Sequence, residues 1–231
     1  MQRVRDDIEL PCNFDDWTAQ EQSDWMYHNM TNLYKNVPES LQNLIPAYTR
    51  SLDFNRSLNV LPEWMDPDKY HKGQKFVREH YFSYIMAIIL GSIYAYTFED
   101  GLKPIIIGGN SHTPYLAVKR YFSDILYLNT MKRILDWYDG EPWSKGTEAY
   151  RDMQIARNKH IRISTKVSLL DNKQYQEDLN NMVMAVAQAH FIMLPVLYPQ
   201  KVGMHFVTDE DLEAFCHMWK CYGYFLGIED E

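Results

Sequence analysis

Cysteine is scarce in this chain. Three residues in 231, with no pair at Cys-x-x-Cys spacing, exclude a disulfide framework and favour a reducing compartment. Glycine and proline are also few, ten of each, too few for a fibrous repeat or a disordered tract. Positive charge is in deficit: 23 Lys and Arg stand against 31 Asp and Glu, a net charge of −8, which argues against a nucleic-acid-binding surface. The N-terminus, MQRVRDDIELPCNFDDW, is charged from its first residues and lacks the apolar core of a signal peptide. Two stretches without Asp, Glu, Lys or Arg, His80–Phe98 and Leu179–Gln200, approach a membrane's width. Tyr81, Ser83, Tyr84 and Ser92 interrupt the first, and Asn180, Gln188, His190 and Pro195 the second. A spanning helix tolerates few such residues, so the expectation is two buried core helices and no transmembrane segment.

Motifs of familiar chemistry are missing as well. The chain has no pair of Glu-x-x-His elements for a di-iron bundle, no His-Glu-x-x-His, no P-loop, no Gly-x-Gly-x-x-Gly turn after a strand and no Gly-x-Ser-x-Gly elbow. Strand alternation never exceeds four residues, and there is no internal repeat.

Helix signals are what the chain does contain, and they predict an all-α fold in one domain spanning 1–231. Thr18 and Glu21 form a capping box, and a second helix is predicted from Pro38 to about Phe54. Asp66 with Pro67 opens a third segment, which Gly73 is expected to divide before a long helix over Phe76–Phe98. After a break at Glu99–His112, the apolar stripe Val118, Phe122, Ile125, Leu128, Met131, Leu135 and Tyr138 marks another helix. Further helices are predicted over Thr147–Leu170, from Gln174 to Pro195, and after the cap residue Thr208. Seventeen Tyr, 12 Met and six Trp suit an interior packed around something large and flat.

The Thr147–Leu170 helix is the most informative. Ala149, Met153, Ala156, His160, Ile163, Val167 and Leu170 follow alternating steps of four and three and so share one face. An imidazole in the middle of an apolar stripe is either a core histidine bonded to a backbone carbonyl or a ligand to a buried metal or haem iron. Arg151, Arg157, Lys159, Arg162 and Lys166 face only Asp152 in the stretch 151–166, a local charge of +4 in an acidic chain. Such cations can neutralise haem propionates or simply form a solvated face, and the small Ala156 leaves room for a planar ring one turn from the histidine. His190, on the second uncharged stretch, is a weaker ligand candidate, whereas His217 reads as structural.

Arg157-Asn-Lys-His160-Ile-Arg162 resembles the histidine element of the rubber oxygenase (latex-clearing protein) and mpaB-type ER-bound oxygenase family. Trp137…Trp143-Ser-Lys-Gly146-Thr-Glu-Ala-Tyr150 resembles the lead into that helix, and Pro62-Glu-Trp64-Met-Asp66…Gly73 an upstream motif of the same family. Trp219-Lys-Cys-Tyr222-Gly223-Tyr224-Phe-Leu-Gly227-Ile228-Glu-Asp230 resembles the family's Trp-Arg-x-x-Gly-Tyr-x-Leu-Gly-Ile-x-Asp stretch, the most specific of the four. The resemblance runs over about residues 60–231, leaving 1–59 as an N-terminal helical extension. It implies a globin-related helical bundle around a haem pocket, with haem b held through its iron by His160. It also implies O2-dependent cleavage of a carbon–carbon double bond in an apolar, isoprenoid-like or lipid substrate. Arg157, Arg162, Lys119 and Arg120 would serve the cofactor, and Thr130, thirty residues before His160, the distal catalytic position. Leu126 and Asn129 beside it are not basic, a departure from the family. The chain ends directly after the Gly-Ile-x-Asp motif, where relatives continue, so a bundle lacking C-terminal helices is expected. The resemblance also implies an intracellular protein, cytoplasmic or ER-associated, with peripheral membrane association compatible with it. Two other readings stand beside the oxygenase: a helical binding or scaffold protein that keeps the fold without haem, and a membrane-integrated helical protein.

Overall fold

The computed structural model describes residues 10–33, 46–48, 50–95, 129–168 and 179–229. They are mostly α-helical, and among the described residues the β-structure is a single isolated antiparallel bridge, Ser51 to Asn180. The all-α expectation holds at that level. The helices are α1 (Ala19–Leu33), α2 (Pro67–Glu79), α3 (Tyr81–Ala95), α4 (Asn129–Tyr138), α5 (Glu148–Ser168), α6 (Asn181–Leu197) and α7 (Asp209–Phe225). Among the described residues no helix is long and apolar enough to cross a membrane. The chain divides into two units, Met1–Ser51 with Asn180–Met182, and Leu52–Leu179 with Val183–Glu231.

In the first unit the expected capping box opens α1. The backbone N–H of Thr18 donates to Glu21 at 2.8 Å, and Glu21 N–H donates back to Thr18 Oγ1 at 3.3 Å. Those bonds to the carboxylate hold Glu21 below its ordinary ionisation range. Phe14 is buried between Trp17 and Trp25, with ring centroids at 5.3 and 5.5 Å. The helix predicted to run from Pro38 to Phe54 does not reach Phe54. Pro46–Tyr48 is a 3-10 turn, and Ser51 is extended in its bridge to Asn180. The Asn181 side chain fastens that bridge, donating to the carbonyls of Arg50 and Ser51 at 3.2 and 3.0 Å.

The second unit is organised around α2 and α7. Asp66 caps α2 by accepting from the N–H groups of Asp68 and Lys69 at 2.9 and 3.1 Å, with Pro67 at the first helical position. Contrary to expectation, Gly73 does not divide the segment. The helix runs through it and breaks at His80, whose φ of −113° and ψ of 26° leave the helical region. The physical reason is packing: a Cβ on Gly73 would lie 2.5 Å from the carbonyl oxygen of Ala214 and 2.8 Å from Met218 Cβ, so glycine admits the backbone of α7.

Burial of α3 also departs from expectation. Tyr84, Ala87, Ile88, Gly91 and Ser92 are buried, but Phe82, Met86, Leu90 and Ile93 on the other face are exposed. An apolar residue type says nothing about which side of a helix meets a partner, so an uncharged run predicts a buried helix even where only one side is covered.

The last carbonyls of α4, which lack helical partners, and that of Gly140 just beyond it are met by side chains from neighbouring helices. Gln74 donates to the carbonyls of Trp137 and Gly140 at 3.0 and 2.7 Å, Tyr222 to that of Trp137 at 2.9 Å, and Arg78 to that of Tyr138 at 2.7 Å. Tyr70 donates to Tyr222 Oη at 3.1 Å, and Trp219 Nε1 to Tyr84 Oη at 3.1 Å, while Tyr84 and Tyr138 share a 2.7 Å hydroxyl pair. Burial pushes all four phenols far above their ordinary ionisation, so they act as neutral hydrogen-bonding groups.

The C-terminal motif acquires a structural account. Thr208 and Asp211 cap α7 reciprocally, and Gly227, at φ +97°, ends it. Ile228 N–H reaches the Gly223 carbonyl at 3.0 Å and Gly227 N–H that of Tyr224 at 3.1 Å, which is the Schellman pattern. The Gly227 carbonyl accepts from Asp53 N–H at 2.9 Å, and Arg56 donates to the carbonyls of Tyr224 and Ile228 at 3.1 and 2.8 Å. The loop after Leu52 is thus bound to the end of α7.

Candidate functional site

Thr147 caps helix α5, its hydroxyl accepting from Tyr150 N–H at 3.1 Å. Of the predicted stripe, Ala149 and Met153 are buried, and Ala156, His160 and Ile163 are half-buried. Val167's side chain and Leu170 lie outside the described residues. The face begins in the core and emerges toward its C-terminal end.

His160 sits at that transition. Its ring is half-buried, yet Nδ1 is sealed from solvent without a hydrogen-bond partner. A core histidine bonded to a carbonyl is therefore not what is observed. Burial, aided by the adjacent Lys159 ammonium, lowers its pKa from 6.5 to about 4. The ring is neutral near pH 7, the form that ligates metals. Two tryptophan donors share the sealed, unpartnered condition, Trp64 Nε1 and Trp137 Nε1, but an indole N–H carries no lone pair for a metal.

The cations around His160 have separate fates. Arg157 is buried, and its Nη2 donates to the carbonyl of Phe54 at 2.6 Å and to that of Arg56. It joins α5 to the loop bound by α7, so the sequence expectation that it serves a cofactor meets a guanidinium already engaged with backbone oxygens. Arg151 pairs with Glu148 on the surface, while Lys159 and Arg162 are exposed. Thr130 lies in the first turn of α4, its side chain outside the described residues, and Lys119 and Arg120 also lie outside them.

Two other histidines singled out by the sequence, His190 and His217, have partners. His190 Nδ1 lies 3.1 Å from the Ala187 carbonyl, and burial lowers its pKa. His217 Nε2 accepts the backbone N–H of Asp66 at 3.1 Å, which ties α7 to the cap of α2 and agrees with a structural role.

One cluster escaped the sequence reading. Asp136, Glu148 and Asp152 bring carboxylate oxygens within 4.8 Å of one another, with Arg133 3.7 Å from the buried Asp152 and Lys132 2.5 Å from Asp136. Burial first, then the neighbouring Asp136 carboxyl, raises the Asp152 pKa. Glu148 and Asp152 are four apart on α5, a visible signal, but Asp136 comes from α4 and no spacing announces it. A shallow groove of about 380 Å³ lined by His71, Lys72, Lys75, Phe76, Arg78 and Asp211 does not include His160. Its cations are paired: Lys72 with Glu210 at 2.7 Å, and Lys75 with Glu79 at 3.6 Å.

Compared with known protein families, curated proteins and solved structures, the chain matches none.

Proposed function

We propose that this chain is a haem b-dependent oxygenase in which His160 is the protein ligand to iron. The observation that carries the reading is the sealed, unpartnered Nδ1 of a neutral imidazole midway along the apolar face of α5. A buried polar atom without a partner costs about 1–3 kcal/mol, and iron ligation is one way to recover that cost. The residues present suit the group in this respect: one neutral nitrogen ligand, a small Ala156 one turn away, and exposed Arg162 and Lys159 nearby in sequence. The motifs resembling the rubber oxygenase and mpaB-type family add direction.

When bound, haem supplies the redox-active iron for reaction of O2 with a carbon–carbon double bond. Inserting both oxygen atoms of O2 across the cleaved bond gives two carbonyl products, so the stoichiometry needs no outside reductant. The chain's own contribution is to hold His160 neutral and to fix its helix. Arg157 does the latter, by joining α5 to the loop at Phe54 and Arg56. Thr130 remains the proposed distal residue, and an apolar, isoprenoid-like alkene the proposed substrate.

The test is spectroscopic. Full-length protein reconstituted with haem is expected to show a Soret band that His160→Ala abolishes, with O2 uptake on adding an apolar alkene. A chain that stays colourless while folded overturns the proposal. If such a chain still binds hydrophobic ligands, it is instead the helical binding protein that Arg157's engagement with the backbone favours.

A further inference from the structure

The groove on α2 and the loop before α7 lie on one face of the second unit. The groove, about 380 Å³, is bounded by α2 from His71 to Glu79 and by Asp211 of α7. Phe76, itself buried, gives it an apolar floor, and Lys72, Lys75 and Arg78 line it. Such side chains carry apolar stems under charged tips, so the groove suits an aromatic ring, whose face their cations attract. Lys75 pairs with Glu79 at 3.6 Å, but both side chains are more than half exposed, and a surface pair of this kind is readily exchanged.

A ring stands beside this groove without entering it. Phe206 lies five residues before Asp211 and is 100% exposed. Its φ of +61° makes it the non-glycine residue in left-handed backbone among those described, a strained conformation for a bulky side chain. The loop is held on either side: Met204 is fully buried with its N–H on the Pro199 carbonyl at 2.8 Å, and Thr208 starts the α7 capping box. The nearest ring contact of Phe206 is the equally exposed His205, with centroids 6.4 Å apart. A held, strained backbone thus presents a phenyl ring outward, and no packing within the chain accounts for it.

Charge points to what receives the ring. Asp209 and Glu210 are exposed three and four residues beyond Phe206, and Asp209 has no ion pair among the described residues. The groove carries the opposite sign in Lys75 and Arg78, with Glu79 and Asp211 among them. A two-fold contact sets a patch against itself, so a patch of one sign would repel its copy, whereas a knob flanked by acids beside a groove lined by cations is complementary to itself.

We propose that this face is a two-fold interface between copies of the chain, in which Phe206 of each copy enters the α2 groove of the other. Asp209 beside the ring is then placed to meet Lys75 on the groove. The contact uses no residue of α5 and needs no haem, so it succeeds or fails separately from the oxygenase reading.

The experiment is sedimentation of the full chain, without added haem, over a range of concentrations. The wild-type chain is expected to pass from monomer to dimer as concentration rises. Phe206→Gly removes the ring and relieves the positive φ, so it keeps the fold by circular dichroism. It is expected to weaken the dimer roughly a hundredfold or more, since two phenyl rings per dimer no longer leave water. Asp209→Lys and Lys75→Glu are each expected to weaken it several-fold, and the two together to restore it, which loss of a helix-terminal charge alone would not do. A wild-type chain that stays monomeric overturns the proposal, as does Phe206→Gly dimerising as well as wild type. Failure of the double charge reversal to restore the dimer also overturns it. A monomeric chain that floats on phosphatidylcholine–phosphatidylserine vesicles only while Phe206 is present would assign the ring to a lipid surface and overturn it likewise.

Discussion

Arg157 and His160 stand less than one turn apart on α5, and the fold treats them in opposite ways. Arg157 is a buried cation given partners: two carbonyls from a loop about a hundred residues earlier in the chain accept from one of its nitrogens. His160 is a sealed nitrogen given none. A buried charge without partners would be far costlier than a buried neutral imidazole, so the structure secures the first and tolerates the second. The contrast separates a residue that holds the fold from one to which the proposed function assigns a ligand.

The largest effect should come from His160→Ala, with complete loss of the haem Soret band while thermal stability changes little. Equal haem uptake by the variant would collapse the contrast. Next, Arg157→Met should destabilise by about 3 kcal/mol in urea unfolding, because charge-assisted bonds are lost and two carbonyls stay behind. A change under about 1 kcal/mol would mean the loop finds other partners.

The pH dependence is smaller and has a defined sign. His160 titrates near 4 in the folded chain against an ordinary 6.5, so the unfolded state takes up its proton first on acidification. Its contribution is intact above pH 6.5 and is lost as the pH falls toward 4, by about 2 kcal/mol at about pH 5. His160→Leu should remove that part of the slope, and parallel stability curves for variant and wild type would contradict it. Smallest is Gly227→Ala, about 1–2 kcal/mol, from the left-handed backbone and a Cβ 3.0 Å from the Asp53 carbonyl. Because Gly227 anchors the loop that Arg157 holds, combining it with Arg157→Met should cost less than the sum of the two.

The helix starts were legible because a cap is chemistry among neighbours: Thr18 with Glu21, Asp66 with Asp68 and Lys69, and Thr208 with Asp211 each complete their bonds within four residues. The stripe carrying His160 was legible for the same reason, since helical period is local. Gly73 misled because glycine reads as a breaker, whereas here it is the contact point for α7. Arg157 misled because its partners, Phe54 and Arg56, are remote in sequence. The Asp136–Asp152 pairing joins two helices that no spacing connects.

Composition, caps and periodicity by themselves determined that the described chain is helical and that His160 lies on an apolar face. Only the tertiary structure decided that α3 buries one side, that Arg157 binds backbone rather than standing free, and that the nitrogen of His160 is sealed without a partner. Helix formation follows from contacts three and four residues apart, whereas burial and hydrogen-bond satisfaction depend on which distant segment arrives alongside.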